Sequence, residues 1–396
     1  MAESFTPAPR AQDTVTAEVA VPQPSALALR YHRGNTAVWA ADTLLGFILP
    51  AAILFTGWSA RLRRLAEGLG RGRRLPMVAL YGVIFTVVMS LGRLPLAWYA
   101  GFVRPHAYDL SNQTAGQWFA DWSKGVLVVS VVAALVLWIP YSLLRKSPRR
   151  WWLLCGLAAL PFGATALLVA PVWIAPLFDE FGPMRDGALE ARILALAQRA
   201  GIEESRVFEV NKSEDTRLVN AYVAGIGRTK RIVLWDTLLR QLEPEEVLFV
   251  TGHEIGHYIL HHVLAVILGS ALLVTLSLYA VHRLSGRLIA RYRHRFGFDR
   301  LSDVASLPLL VLVGSAAAFV VTPPALAFSR WQEREADRVG LELTRDRRAA
   351  AMAFVRLQQE NLVVPRPGLV YTLWRGSHPS LASRIEYANR WGEGRR

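Results

Sequence analysis

Cysteine is almost absent from this chain: Cys155 is the only one among 396 residues, and it lies inside an apolar run. No intramolecular disulfide can form and no thiolate cluster can hold a metal, so a metal site must be built from histidine and carboxylate. Charge is scarce too, at 19% of residues against 53% hydrophobic ones, a balance outside that of ordinary soluble domains and suited to lipid. The formal net charge of +14 does not mark a nucleic-acid partner, because the arginines gather in short stretches between apolar runs rather than along one face. Residues 1–35 lack hydrophobic periodicity and a basic-then-apolar leader, and their Ala, Pro, Thr and Gln predict a disordered tail.

What is present in quantity is apolar length. A helix needs roughly 20 largely apolar residues to cross a bilayer core. Six stretches approach that length, at about Val38–Trp58, Leu75–Ala100, Val126–Leu144, Trp151–Leu177, Tyr258–Val281 and Leu307–Phe328. Four spans therefore fill a membrane region over 36–177, and two interrupt a second region over 178–396. Basic clusters at Arg61–Arg74, Arg145–Arg150 and Arg283–Arg300 fall on one face by this count, which is the cytoplasmic face under the positive-inside bias. The segment Phe178–His257 and the tail after Phe328 share the opposite face. A multi-pass protein of the cell membrane, in contact with its lipids, is expected.

Against this background the string HEIGH at His253–His257 stands out. Pro244 and the acidic Glu245 and Glu246 announce a helix start. At about 100° per residue, His253 and His257 project from one face a turn apart, as two ligands of one zinc must. Glu254, turned about 100° from His253, reaches the metal's open side and suits a general base rather than a ligand. Zinc would acidify a bound water and polarise a scissile carbonyl, while Glu254 moves the proton to the leaving amine.

Such a site needs a third ligand. In the string EREAD, Glu333 and Asp337 share a helical face whereas Glu335 points nearly opposite, so Glu333 is expected to bind and Asp337 to support a ligating histidine. His261 is a rival, but three ligands on successive turns of one straight helix diverge too far around an ion. His262 is expected at the membrane boundary. Between the fourth and fifth spans, RVFEV, NAYVAGI and RIVLW form short β-like runs, with a turn at Gly227–Lys230. An edge strand carrying Asn220, Ala221 and Tyr222 could pair with an extended peptide, or be an ordinary hairpin. A non-catalytic membrane scaffold or transporter with a structural zinc is the competing class, and it makes Glu254 dispensable.

These blocks together resemble the type I CAAX prenyl endopeptidases, integral-membrane zinc proteases related to bacterial heat-shock membrane proteases. The resemblance extends through IAPLFDEFGPM, NAYVAGIGRTKRIVLWDTLL, SRWQEREAD and, before them, GFVRPHAYDLSNQTAGQWFADWSKG. With the six apolar stretches it makes the expected fold a mainly α membrane protein of about six transmembrane helices, with a gluzincin-like zinc protease domain containing a small β-sheet. It implies one Zn2+ on His253, His257 and Glu333, with Asp337 behind them and Asn220 on the substrate backbone. SHPSLASRI is similar to the family's terminal block, with Ser380 replacing a proline, and implies that His378 and Arg384 act on substrate and transition state. The implied partner is a peptide or protein substrate, CAAX-type or otherwise membrane-associated and open to lipid modification. The family's eukaryotic members have seven spans against the six counted here, and its catalytic face is cytosolic, at odds with the arginine placement.

Overall fold

The structure, a computed structural model, describes residues 18–202, 206–224 and 231–392. Five of its helices are long and apolar enough to cross a membrane, and a bent pair makes six if it is one span. The N-terminal part comprises α1 (Ala26–Phe55), amphipathic α2 (Trp58–Leu69), α3 (Arg74–Trp98), the single turn α4 (Arg104–Ala107), α5 (Ala115–Val136), α6 (Trp138–Lys146) and α7 (Trp151–Val169).

Ser25 caps α1 by accepting the Ala28 N–H at 3.0 Å, so the helix starts inside the segment expected to be disordered. That expectation is corrected for residues 18–35. The Asn389 amide accepts the Val19 N–H at 3.1 Å and donates to the Val19 carbonyl at 2.9 Å, and Gln358 donates to the Pro22 carbonyl. Tethers to residues so far along the chain leave no mark on local composition. Residues 1–17 of the expected tail lie outside the described residues.

After the membrane region come β1 (Phe181–Pro183), α8 (Gly187–Arg199), β2 (Arg206–Val210), β3 (Ala221–Ala224), β4 (Arg231–Trp235), α9 (Asp236–Gln241) and α10 (Pro244–Ile259). The long α11 (His262–Phe296) and α12 (Leu307–Thr344) follow, then α13 (Arg347–Glu360), α14 (Leu369–Trp374) and α15 (Leu381–Arg390). The strands form one sheet in the order β1-β2-β4-β3, with β2 and β4 parallel and the outer pairings antiparallel. β3 is thus an edge, as NAYVAGI suggested, while its expected turn at Gly227–Lys230 lies outside the described residues. Ile193, Leu196, Leu234, Phe249, Ile255, Phe354 and Ile385 close the core between this sheet and helices α8, α10, α13 and α15.

A second core binds the membrane helices at their other end, around Tyr81, Tyr141, Trp151 and Phe296. Elsewhere the spans are apolar outside as well as inside: Leu264, Leu268, Leu272 and Leu276 form an exposed stripe along α11, a surface matched to lipid. α7 runs antiparallel to α11, with Trp151 Nε1 donating to His282 Nδ1 at one end and Gly163 beside Ile267 at the other. It therefore carries the chain back along α11 from the basic end toward the sheet.

Candidate metal centre

α10 begins with Pro244 in its first turn, and Glu243 caps it through a box in which the Glu246 carboxylate accepts the Glu243 N–H at 3.1 Å. Nine residues on, His253 starts the turn that ends at His257, and their Nε2 atoms converge to 3.2 Å. α12 passes close enough to join them because glycine sits at the crossing. A Cβ at Gly256 would lie 3.1 Å from Ala336 Cα, and one at Gly340 would lie 3.1 Å from the His253 backbone nitrogen. The approach sets Glu333 Oε2 3.3 Å from His253 Nε2 and Oε1 3.4 Å from His257 Nε2.

One donor atom from each of His253, His257 and Glu333 falls within 4.8 Å of the others. Glu333 Oε2 is buried and makes no well-formed hydrogen bond among the described residues, being left to the ring nitrogens of His253 and His378 at 3.3 Å and the Arg384 guanidinium at 3.9 Å, a set that a cation would complete. Two imidazoles and one carboxylate suit a borderline divalent ion with a position left open. Burial opposes charge on His253, but the Asp337 and Glu333 carboxylates overcome it and raise the pKa to about 9, so a metal bound there must displace a proton from the ring.

Asp337 lies directly behind. Its Oδ1 is 2.8 Å from His253 Nδ1, which fixes that ring with Nε2 turned to Glu333. The same carboxylate accepts two bonds from Arg384, at 2.9 and 2.5 Å, and all three side chains are buried. Glu335, on the other face of α12, pairs instead with Arg338.

A cavity of about 410 Å³ opens onto this cluster, and Glu254, Asn220, Ala221, His378 and Arg384 all line it. Burial raises the Glu254 pKa above the usual carboxylate value, which suits a group that must take up a proton. His378 sits on the loop between α14 and α15, with Nε2 3.3 Å from Glu333 Oε2 and Nδ1 2.8 Å from Ser377 Oγ. With the hydroxyl donating, the ring hydrogen is on Nε2. The cavity walls desolvate His378 and push its pKa down to about 4, while the ring remains 55% exposed to the cavity itself.

Tyr222 is not brought to the cavity. Alternation along β3 turns its side chain away from the face of Ala221, and its backbone pairs inward with Val233. His261 is also excluded: it is exposed, in the left-handed region at φ 54°, where the chain breaks between α10 and α11. That break buries its neighbour His262, expected at the membrane boundary, and places His262 Nδ1 3.0 Å from His257 Nδ1. The local sequence gave no sign of the break. Ser377 and Asn361 were likewise missed, since their partners are set by loop conformation and distant packing.

Two family profiles match almost end to end. The first, described as CAAX prenyl protease N-terminal, five membrane helices, covers residues 17–180, and the second, described as Peptidase family M48, covers residues 183–392. The chain is 36% identical over 369 residues to the uncharacterized metalloprotease YhfN of Bacillus subtilis, covering 93% of this chain and 86% of that protein. It is 29% identical to a CAAX prenyl protease 1 homolog of Dictyostelium discoideum, covering 90% and 82%. The crystal structure of S. mikatae Ste24p shares the fold at a TM-score of 0.78 and 22% identity, covering 91% of this chain and 87% of that one. The residues that converge on α10 and α12 thus stand in a chain that belongs to peptidase family M48, an integral membrane metalloprotease.

Proposed function

We propose that the metal is zinc, one per chain, held by His253, His257 and Glu333, and that the enzyme cuts peptide bonds in membrane-associated peptides or proteins. CAAX-type and lipid-modified substrates are included, since several relatives carry the name CAAX prenyl protease 1. The observation that carries the reading is the buried convergence of two imidazoles and one carboxylate beside Glu254, a second carboxylate placed to act as base.

The chemistry supplied by zinc when bound is acidification of water and polarisation of a carbonyl. Glu254 takes the attacking water's proton and passes it to the leaving amine. His378, neutral and with its Nε2 hydrogen toward the cluster, donates to the substrate oxygen that gains charge. Arg384 contributes by holding Asp337, and through it the His253 ring, while its own edge reaches the cavity. Substrate lies extended along the β3 edge, where Asn220 and Ala221 face the cavity.

Cleavage of a peptide panel by purified full-length protein, with metal analysis of each sample, tests this. Wild type should cleave and lose activity to a chelator, and Glu254→Ala should keep its zinc but not cleave. A Glu254→Ala protein that retains both zinc and full cleavage would return the molecule to the scaffold or transporter class.

A further inference from the structure

β3 offers its free edge to the cavity, and one position on that edge is already taken. In the antiparallel β3–β4 pair the Trp235 N–H donates to the Asn220 carbonyl at 3.2 Å, so residues 220 and 222 bond inward. By alternation the backbone groups of Val219, Ala221 and Val223 point outward, where an added strand would meet them. At Val219 both are occupied: the Asn361 side chain accepts the Val219 N–H at 3.0 Å and donates to the Val219 carbonyl at 3.2 Å. Its primary amide pairs with the edge as a neighbouring strand would. The Ala221 N–H is held by its neighbour's side chain, Asn220 Oδ1, at 2.9 Å. Among the described residues, nothing takes the Ala221 carbonyl or the outward groups of Val223.

Asn361 lies at the end of α13, and it lines the same cavity as Val219, Asn220, Ala221, His253 and Glu254. A peptide added to β3 is therefore blocked at Val219 and open toward Val223. Antiparallel addition is the more stable mode, and it runs the substrate opposite to β3, so the blocked end faces residues on the substrate's C-terminal side. Residues two apart along the edge are separated by about 6.6 Å, so the block at Val219 falls one such step from the position at Ala221.

We infer that Asn361 is a specificity-determining residue: by occupying the β3 edge at Val219, it limits how far the C-terminal side of a substrate can extend beyond the scissile bond. The inference rests on the proposed protease site and adds the feature that selects bonds near a chain terminus. A purely structural Asn361, one that only fastens α13 to β3, would change stability without changing which peptides are cut.

The test uses full-length, zinc-loaded protein and peptides that share one N-terminal part and scissile bond, with the C-terminal side lengthened one residue at a time. Products are identified by mass spectrometry, and initial rates and thermal midpoints are recorded. Wild type should lose about tenfold or more in rate beyond a short extension, because a residue that reaches Val219 must displace the Asn361 amide and give up its two hydrogen bonds. Asn361→Ala should flatten that length dependence or move the cut. Asn361→Asp keeps the size and the acceptor but loses the donor to the Val219 carbonyl, and serves where Ala unfolds the protein. Length dependence identical to wild type in a folded variant overturns the inference. If wild type and Glu254→Ala cleave equally, the fault lies instead with the proposed protease site.

Discussion

At the scale of single residues the imidazoles of the centre are organised in pairs, each ring having a partner behind it. Asp337 stands behind His253, His262 behind His257 and Ser377 behind His378. Losing a carboxylate that orients a ligating imidazole lowers metal affinity about 10–100-fold, so Asp337→Asn should weaken zinc by that factor in a competition titration. Glu254→Gln should lower kcat by about 10²–10⁴-fold at unchanged zinc content, the range for removing a general base. The Glu254 pKa also sets a pH dependence. Burial raises it above the ordinary carboxylate value, and a base works only when ionised, so activity should fall as pH drops through a midpoint above that of an exposed glutamate. A pH–rate profile with no acid limb in that range would rule out Glu254 as the titrating base. Much of this was legible in the sequence because the informative spacings are local: the pairs His253 and His257, and Glu333 and Asp337, are each one helical turn apart. Asn361 was not legible, because the strand it covers lies 142 residues away.

At the scale of elements the decisive contact is the crossing of α10 and α12. Two helices approach this closely only where side chains are missing, and Gly256 and Gly340 supply the gap. Gly256→Ala separates two effects that usually travel together. Alanine favours the helix by about 1 kcal/mol, yet here its Cβ would press on the Ala336 backbone one turn from Glu333. The expected outcome is a protein that stays folded, with zinc occupancy reduced and kcat lower by about tenfold or more, as displacement of a catalytic group implies. Zinc stoichiometry beside a melting curve checks it, and an unchanged rate would show that α12 yields without moving Glu333. The long apolar helices, α10 and three of the strands could be read from hydrophobic length, spacing and alternation, whereas short helices such as α2, α8 and α13 were not. β1, three residues long, carried too little pattern, and the start of α1 was hidden in Ala- and Pro-rich sequence.

At the scale of the molecule the two ends are chemically distinct. At one, Arg63 of α2 pairs with Asp303 before α12, and Tyr141 of α6 bonds to Ser306 at 3.0 Å, so the three basic segments gather there. At the other, the loop between α4 and α5 joins the protease region through the Ser111–Thr216 bridge and the Asn112 N–H to the Asp215 carbonyl, at 3.0 Å. Val19 is tied to Asn389 at that same end, which fixes the entry of α1. The positive-inside bias then predicts a basic end in the cytoplasm and a metal centre on the extracytoplasmic side, opposite to the cytosolic site implied by the resemblance to prenyl endopeptidases. Labelling decides between them. In a Cys155→Ser background, single cysteines replace the exposed Glu67 on α2 or the exposed Gln198 on α8, and intact cells are treated with a membrane-impermeant maleimide. Gln198→Cys should react in intact cells and Glu67→Cys only after permeabilisation. The reverse pattern would place the protease domain in the cytosol, and the clustered arginines would then require an explanation other than topology.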